Sequence, residues 1–227
     1  MHCAQHTDFR NVFMVKGGLI VAAAAFALGA SGAQASSVAF GDSWREQRFS
    51  LFSSNDFGLR GETLTVRSDG TVSLRLPEGL WDTRKAAWRW QVDESVPPTD
   101  LTEKGGDDRN LALYFVFLPR AAAERAEGSD LKDLLDEPDV RVLMYVWGGD
   151  HPKGAILPTP YLGERGRTII RRNARTGAER ESADLAADYE AAFGEPVQSL
   201  VGLAVSADSD DTDTRIEATV SRLQLLP

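Results

Sequence analysis

Alternating hydrophobicity along most of the chain predicts an all-β protein, a single β-sandwich of jelly-roll type with one or two short helical inserts. Three observations lead there. Apolar residues recur at every second position in segment after segment, and turn-forming residues separate those segments. Helical periodicity is confined to inserts that do not alternate with strands, which disfavours a mixed α/β fold.

Residues 1–35 read as a secretory signal. Arg10 and Lys16 flank an apolar run over 17–30, and Ala33-Gln34-Ala35 fits the small-residue cleavage rule. The run is shorter than the ~20 apolar residues of a spanning helix, so a cleaved signal is expected rather than an anchor. Cleavage after Ala35 leaves residues 36–227 as one sandwich domain, directed to the periplasm or secreted, with no membrane span. It also removes the single cysteine, Cys3, and two of the three histidines, His2 and His6. Thiol catalysis, cysteine metal sites and disulfides are thereby excluded from the remainder, whose stability must come from apolar packing. With 34 acidic against 25 basic residues, a net charge of −9, the chain repels phosphate backbones, and nucleic acid is not an expected partner.

Within 62–76, Leu64 and Val66 alternate with polar residues before Asp69-Gly70, and Val72, Leu74 and Leu76 alternate after it, which predicts a hairpin with a tight turn. Residues 86–92 place Trp88 and Trp90 on one strand face and Arg89 on the other. Residues 111–118 are apolar on both faces, as a central strand covered on each side requires. In 140–147, Val142, Met144 and Val146 oppose Leu143, Tyr145 and Trp147. Further strands are predicted at 168–172, 200–206 and 214–226. In the last, Ile216, Ala218 and Val220 share one parity and Leu223 and Leu225 the other, so a bulge is expected near Ser221 and Arg222. Helices are predicted over 120–126, after Pro119, and 183–193, where Ser182 is the expected N-cap, Leu185, Tyr189 and Phe193 form a stripe, and Gly194 stops the helix. A further turn or two is open at 130–136, and the main loops fall at 53–58 and 96–108.

Asp107 and Asp108 follow Gly105-Gly106 at the mouth of the central strand. Adjacent carboxylates there suit calcium, sugar hydroxyls or acid–base work, and equally a plain turn. Asp208, Asp210 and Asp211 form the densest acidic segment. An EF-hand register from Asp208 would need glycine and glutamate where Asp213 and Thr219 stand, so an irregular calcium site is the remaining metal reading, beside a solvated acidic turn. His151, after Asp150, stands alone, which excludes a two-histidine zinc site or relay, and no Gly-x-Ser-x-Gly elbow is present. Trp88, Trp90, Trp147, Tyr145 and Tyr161 are candidates for stacking on sugar rings. Core filling is preferred for Trp88 and Trp90, whereas Trp147, beside Gly148-Gly149, is expected to leave its ring open to a ligand. The arginines between 165 and 180 fit an exposed hairpin with its tip at 173–177, or an anionic partner.

The ordered set Trp88-Arg89-Trp90, Gly106-Asp107-Asp108 before the 111–117 strand, Tyr145-Val146-Trp147, Ala187-Asp188-Tyr189 with Phe193-Gly194-Glu195, and Asp208-Ser209-Asp210-Asp211-Thr212 resembles the bacterial domain of unknown function 3047 family. The family pattern places an arginine a few residues after the aspartate pair, whereas Arg109 adjoins it, so no role is carried onto Arg109. The resemblance implies an exported jelly-roll sandwich akin to carbohydrate-binding modules, with no established activity. The expected function is non-catalytic binding of a glycan or related polar ligand, with Trp147 stacking and Asp107, Asp108, Asp150 and His151 hydrogen-bonding. The alternatives are a carbohydrate-active hydrolase or lyase using paired carboxylates, and an envelope protein-interaction module. No cofactor is required beyond the open calcium reading at Asp208, Asp210 and Asp211.

Overall fold

The structure, a computed structural model, describes residues 34–47, 56–67 and 70–227. All but the last two residues of the expected signal lie outside the described residues, as does Asp69 of the expected Asp-Gly turn. From the N-terminal side, β1 (Ser36–Ser37) joins a first sheet and β2 (Arg45–Gln47) a second. β3 (Phe57–Arg60) and β4 (Thr63–Val66) form a hairpin in the first, so the expected 53–58 loop gives way to strand at Phe57. β5 (Gly70–Arg75) lies in the second sheet and β6 (Lys85–Glu94) in the first. β7 (Arg109–Leu118), β8 (Arg141–Gly148), β9 (Ile156–Thr159) and β10 (Gly163–Arg172) build the second. β11 (Gly177–Asp184), β12 (Ser199–Asp208) and β13 (Glu217–Leu226) then alternate first, second, first. The first sheet runs β11-β6-β13-β4-β3 with β1 beside β13, and the second runs β2-β5-β12-β7-β8-β10-β9. This is the all-β sandwich that the period-two pattern predicts, with short helices as inserts.

Successive side chains on a strand face opposite ways, so one strand serves two environments. β7 sends Leu111, Leu113, Phe115 and Phe117 into the interior between the sheets, and Ala112, Val116 and Leu118 to the outer face. β8 likewise sends Leu143, Tyr145 and Trp147 inward and Val142, Met144 and Val146 outward. From the first sheet, Trp88 meets Tyr145 with ring centroids 5.5 Å apart, and Trp90 meets Trp147 edge-on at 5.6 Å. On β13, Ala218 and Val220 point inward, the register against β6 shifts between Ser221 and Gln224 with Arg222 at φ 52°, and Leu223 and Leu225 return to the interior. The parity change in the sequence thus marks a real bulge.

α1 (Arg120–Arg125) and α2 (Leu131–Leu134) lie between β7 and β8 and cover part of the outer face, with Ala122, Ala123, Leu131 and Leu134 buried there. α3 (Leu185–Phe193) follows β11 and packs Tyr189 against Phe117, ring centroids 5.1 Å apart. Its N-cap is Asp184, whose carboxylate accepts from the Ala187 N–H, because Ser182 is still in strand β11. Gly194 closes it in the left-handed conformation at φ 74°, as expected.

Two expected hairpins are instead crossings between sheets. β4 pairs with β3 and β13 and β5 with β2 and β12, so the 62–76 segment changes layer between Val66 and Gly70. Alternation only requires each strand to face the interior, and opposite sheets satisfy that as well as neighbouring strands do. β10 and β11 part in the same way, and Arg171 and Arg172 are drawn inward, whereas Arg175 and Arg180 are exposed. Arg172 lies 2.9 Å from Glu181, Arg171 lies 3.4 Å from it, and Arg175 lies 2.8 Å from Glu179. The Glu181 side chain is 5% exposed, so this ionic cluster ties the sheets together where both strands leave them.

Candidate functional site

The outer face of the second sheet carries a groove of about 680 Å³. Its floor follows from strand register: Ser73 of β5 pairs with Ala204 of β12, Ala204 with Tyr114 of β7, Tyr114 with Met144 of β8, and Met144 with Thr168 of β10. One row of side chains thus spans five strands on one face. Small residues on β12 give the groove depth. A Cβ on Gly202 would fall 2.2 Å from Leu131 Cδ1, so that leucine anchors α2 onto the sheet at one end of the groove.

Polar groups gather at the other end, where β7 begins and β12 finishes. Arg109 Nη1 donates to the Asp107 carbonyl at 2.6 Å and to Asp107 Oδ2 at 3.1 Å, and lies 3.2 Å from Asp208 Oδ2. Its Nη2 donates to Tyr114 Oη and Ser206 Oγ, each at 3.3 Å, and those two hydroxyls lie 2.9 Å apart. Burial works against this guanidinium's charge, but Tyr114, Asp208 and Asp107 more than offset it and raise its pKa above the ordinary arginine value. Asp208 moves the opposite way from a typical paired carboxylate. Burial pushes its pKa up to about 7 against the opposing pull of Arg109, with Asp210 and Asp107 adding to the rise. Asp211 is also raised, by burial and then by Asp210, Asp108 and Asp107. Tyr161 is 63% exposed and donates from its hydroxyl to Asp107 Oδ1 at 3.1 Å. Burial of that hydroxyl and the adjacent Asp107 push its pKa up to about 12.

The expected site residues separate. Asp107 lines the groove, but Asp108 is fully buried and holds the following acidic loop. Asp108 Oδ2 accepts from the Thr212 N–H at 2.8 Å and the Thr212 hydroxyl at 2.6 Å. The pair sits in the segment just before β7, where Asp107 turns to the groove and Asp108 to the acidic loop, so only Asp107 serves the groove. Trp147 is not open to a ligand: it is 0% exposed, and its Nε1 donates to the Arg175 carbonyl at 2.9 Å. The glycines beside it have another purpose. A Cβ on Gly148 would lie 2.9 Å from Arg109 Cα, so glycine lets the strands close behind Arg109. Gly149, at φ 71°, turns the chain beneath Leu101. Asp150 and His151 sit away from the groove lining; His151 lies 3.3 Å from both Asp100 and Asp150, and Asn173 donates to its carbonyl.

The expected metal set changes composition. Oxygens of Asp108, Asp210 and Asp211 come within 4.8 Å of one another, whereas Asp208 is engaged by Arg109. Among the described residues, nothing beyond that proximity points to a cation. The groove residues that sequence reasoning missed are Arg109 and Tyr114, with Ser206 buried behind them and bonded to both, and Tyr161 takes the exposed-aromatic place expected of Trp147. The signal available was the parity of β7, where Tyr114 puts a polar hydroxyl on the face of Ala112 and Val116, opposite the wholly apolar Leu113, Phe115 and Phe117.

The model of the protein of unknown function (DUF3047) family matches residues 42–224. The chain belongs to that family. Among curated proteins none matches it. Among solved structures, this DUF3047 member is similar to the xyloglucanase domain of NopAA, a type three effector from Sinorhizobium fredii in complex with cellobiose, at TM-score 0.41 and 7% identity over 85% of this chain and 97% of that one. It is also similar to the K1 cleaved adhesin domain of Lys-gingipain from Porphyromonas gingivalis W83, at TM-score 0.35 and 10% identity over the same shares. Among the described residues of this DUF3047 chain, no helix is long and apolar enough to cross a membrane.

Proposed function

We propose that this protein is exported and binds a glycan or related polyhydroxylated ligand, without catalysis, in the outer groove. The observation that carries the reading is that one groove assembles an exposed aromatic, Tyr161, with Asp107, Asp208, Asp210, Asp211 and Arg109. Aromatic faces suit the apolar sides of sugar rings, and carboxylates and guanidinium suit their hydroxyls. Export rests on the pattern of residues 1–35. Binding is favoured over catalysis because Asp107 and Asp208 lie against the same arginine nitrogen, with Arg109 in the space a reacting bond would need. Calorimetric titration with soluble oligosaccharides is expected to show saturable binding that Tyr161→Ala and Asp210→Asn weaken and Asp150→Asn leaves unchanged. No binding by any oligosaccharide overturns the reading.

One observation favours a second reading, glycoside hydrolysis. A groove carboxyl that keeps its proton near neutrality beside another carboxyl is what acid-assisted bond cleavage uses, and Asp208 beside Asp107 is such a group. Reducing ends released by the native protein and not by Asp208→Asn would support hydrolysis; binding without release supports the first reading.

A further inference from the structure

The groove is not uniform along its length. Its charged lining groups among the described residues, Asp107, Arg109, Asp208, Asp210 and Asp211, lie around the start of β7, the end of β12 and the loop beyond. Toward α2 the lining turns aliphatic, with Val116, Val142, Met144, Leu131, Leu135 and Leu162. These aliphatic groups also lie deep: Val142 is 1% exposed, Val116 2%, Leu131 6% and Met144 7%. The polar end is the open one, with Asp210 and Asp211 exposed.

We infer that the aliphatic half of this groove takes a single alkyl or acyl chain, so that the ligand is a sugar-headed amphiphile rather than a bare glycan. This rests on the glycan reading of the polar end. A glycan long enough to fill the whole groove would set hydroxyls against valine, leucine and methionine, where each unpaired hydroxyl costs free energy on leaving water. Water fits no better there, since an ordered molecule needs two to four polar partners. The polar floor groups nearest that half, Ser73 and Thr168, are themselves 3% and 6% exposed, and Ser73 Oγ already accepts from Gln47. A hydrocarbon chain satisfies the surface by replacing water against apolar carbon.

Charge selects the head group. Asp107, Asp208, Asp210 and Asp211 outnumber the one lining cation among the described residues, Arg109, whose nitrogens are already held by Asp107, Asp208, Tyr114 and Ser206. Lys104, 5.7 Å from the Tyr161 ring centroid, is the other cation beside that rim. Carboxylate and phosphate heads are therefore repelled, which excludes fatty acids and anionic lipids as the preferred occupants. A neutral hydroxylated head meets acceptors on several sides and a tyrosine ring.

Calorimetric titration of the purified protein with n-hexyl, n-heptyl and n-octyl β-D-glucoside, each below its critical micelle concentration, tests this. The controls are free cello-oligosaccharides and sodium octanoate. Affinity is expected to rise about three- to fourfold per added CH₂, with octanoate at least tenfold weaker than octyl glucoside. Ala204→Leu, which fills the floor, should abolish the chain-length dependence, and Val142→Phe should do the same if Ala204→Leu does not fold. Tyr161→Ala should weaken all three glucosides by a common factor and leave the chain-length slope intact. Equal affinity for free oligosaccharide and octyl glucoside, without chain-length dependence, overturns the amphiphile and leaves the glycan reading standing. Octanoate binding as tightly as octyl glucoside overturns the head selection. Binding of neither the glucosides nor the free sugars overturns both readings.

Discussion

Between the sheets β8 contributes Leu143, Tyr145 and Trp147, whereas on its outer face it contributes Val142, Met144 and Val146. Both faces are apolar, and they differ in bulk. The aromatic side chains interlock with Trp88 and Trp90 and leave Trp147 with no exposure. The aliphatic ones lie beside Ala112, Tyr114 and Val116 of β7 and border a space of about 680 Å³. A strand apolar on both faces is thus two surfaces, and the lighter one is where the groove finds room.

The sharpest way to break that contrast is to truncate each face. Trp147→Ala should cost about 3–5 kcal/mol of stability, because it opens a cavity in a closed interior. Met144→Ala should cost no more than about 2 kcal/mol, because its site already borders open space. Urea denaturation of the pair checks this, and equal losses would mean the outer face is packed as tightly as the interior. Next in size is Asp108→Ala, at about 2–3 kcal/mol, because it leaves the Thr212 donors without a buried carboxylate. Asp210→Ala, on the exposed side of the same loop, should stay within about 0.5 kcal/mol.

What was legible in the sequence divides along the same line. Parity identified both faces of β7 and β8 and located the bulge before Leu223, because side-chain direction follows directly from the pleat. Parity does not say which sheet a strand joins, so an Asp-Gly pair and the 173–177 connection suggest hairpins although the strands on either side of each lie in different sheets. Trp147 was misplaced by position, as a strand end beside two glycines suggests exposure. Its own parity with Leu143 and Tyr145 already pointed inward. The groove was least legible because it depends on five strands meeting in register, and Tyr161 reaches Asp107 across 54 residues of sequence.

The polar end supplies a pH-dependent test. Asp208, raised by burial and its acidic neighbours against Arg109, binds its proton more tightly in the folded chain than at its ordinary value of 3.8. The resulting stabilisation is complete below about 4 and is lost as pH rises through about 7. The melting temperature of the native protein should therefore fall across that window relative to Asp208→Asn and run parallel to it above. A flat difference would show that Asp208 titrates normally. Smallest of all, Tyr161→Phe should change stability by less than about 0.5 kcal/mol, since its ring is 63% exposed, while removing the contact to Asp107. Chemical denaturation reads that limit, and a larger loss would make Tyr161 a structural strap rather than a ligand contact.

β10 runs parallel to β8, although they are next to each other in the sheet. A parallel neighbour obliges the chain to travel back to its starting level before it can pair. Here the homeward stretch is β9, laid antiparallel along the sheet margin, whose last residue Thr159 forms a side of the groove with the following Pro160, Tyr161 and Leu162. The detour imposed by strand direction is therefore the piece of backbone that delivers the tyrosine. Substitutions or insertions in that detour should retune recognition while leaving the paired layers as they are.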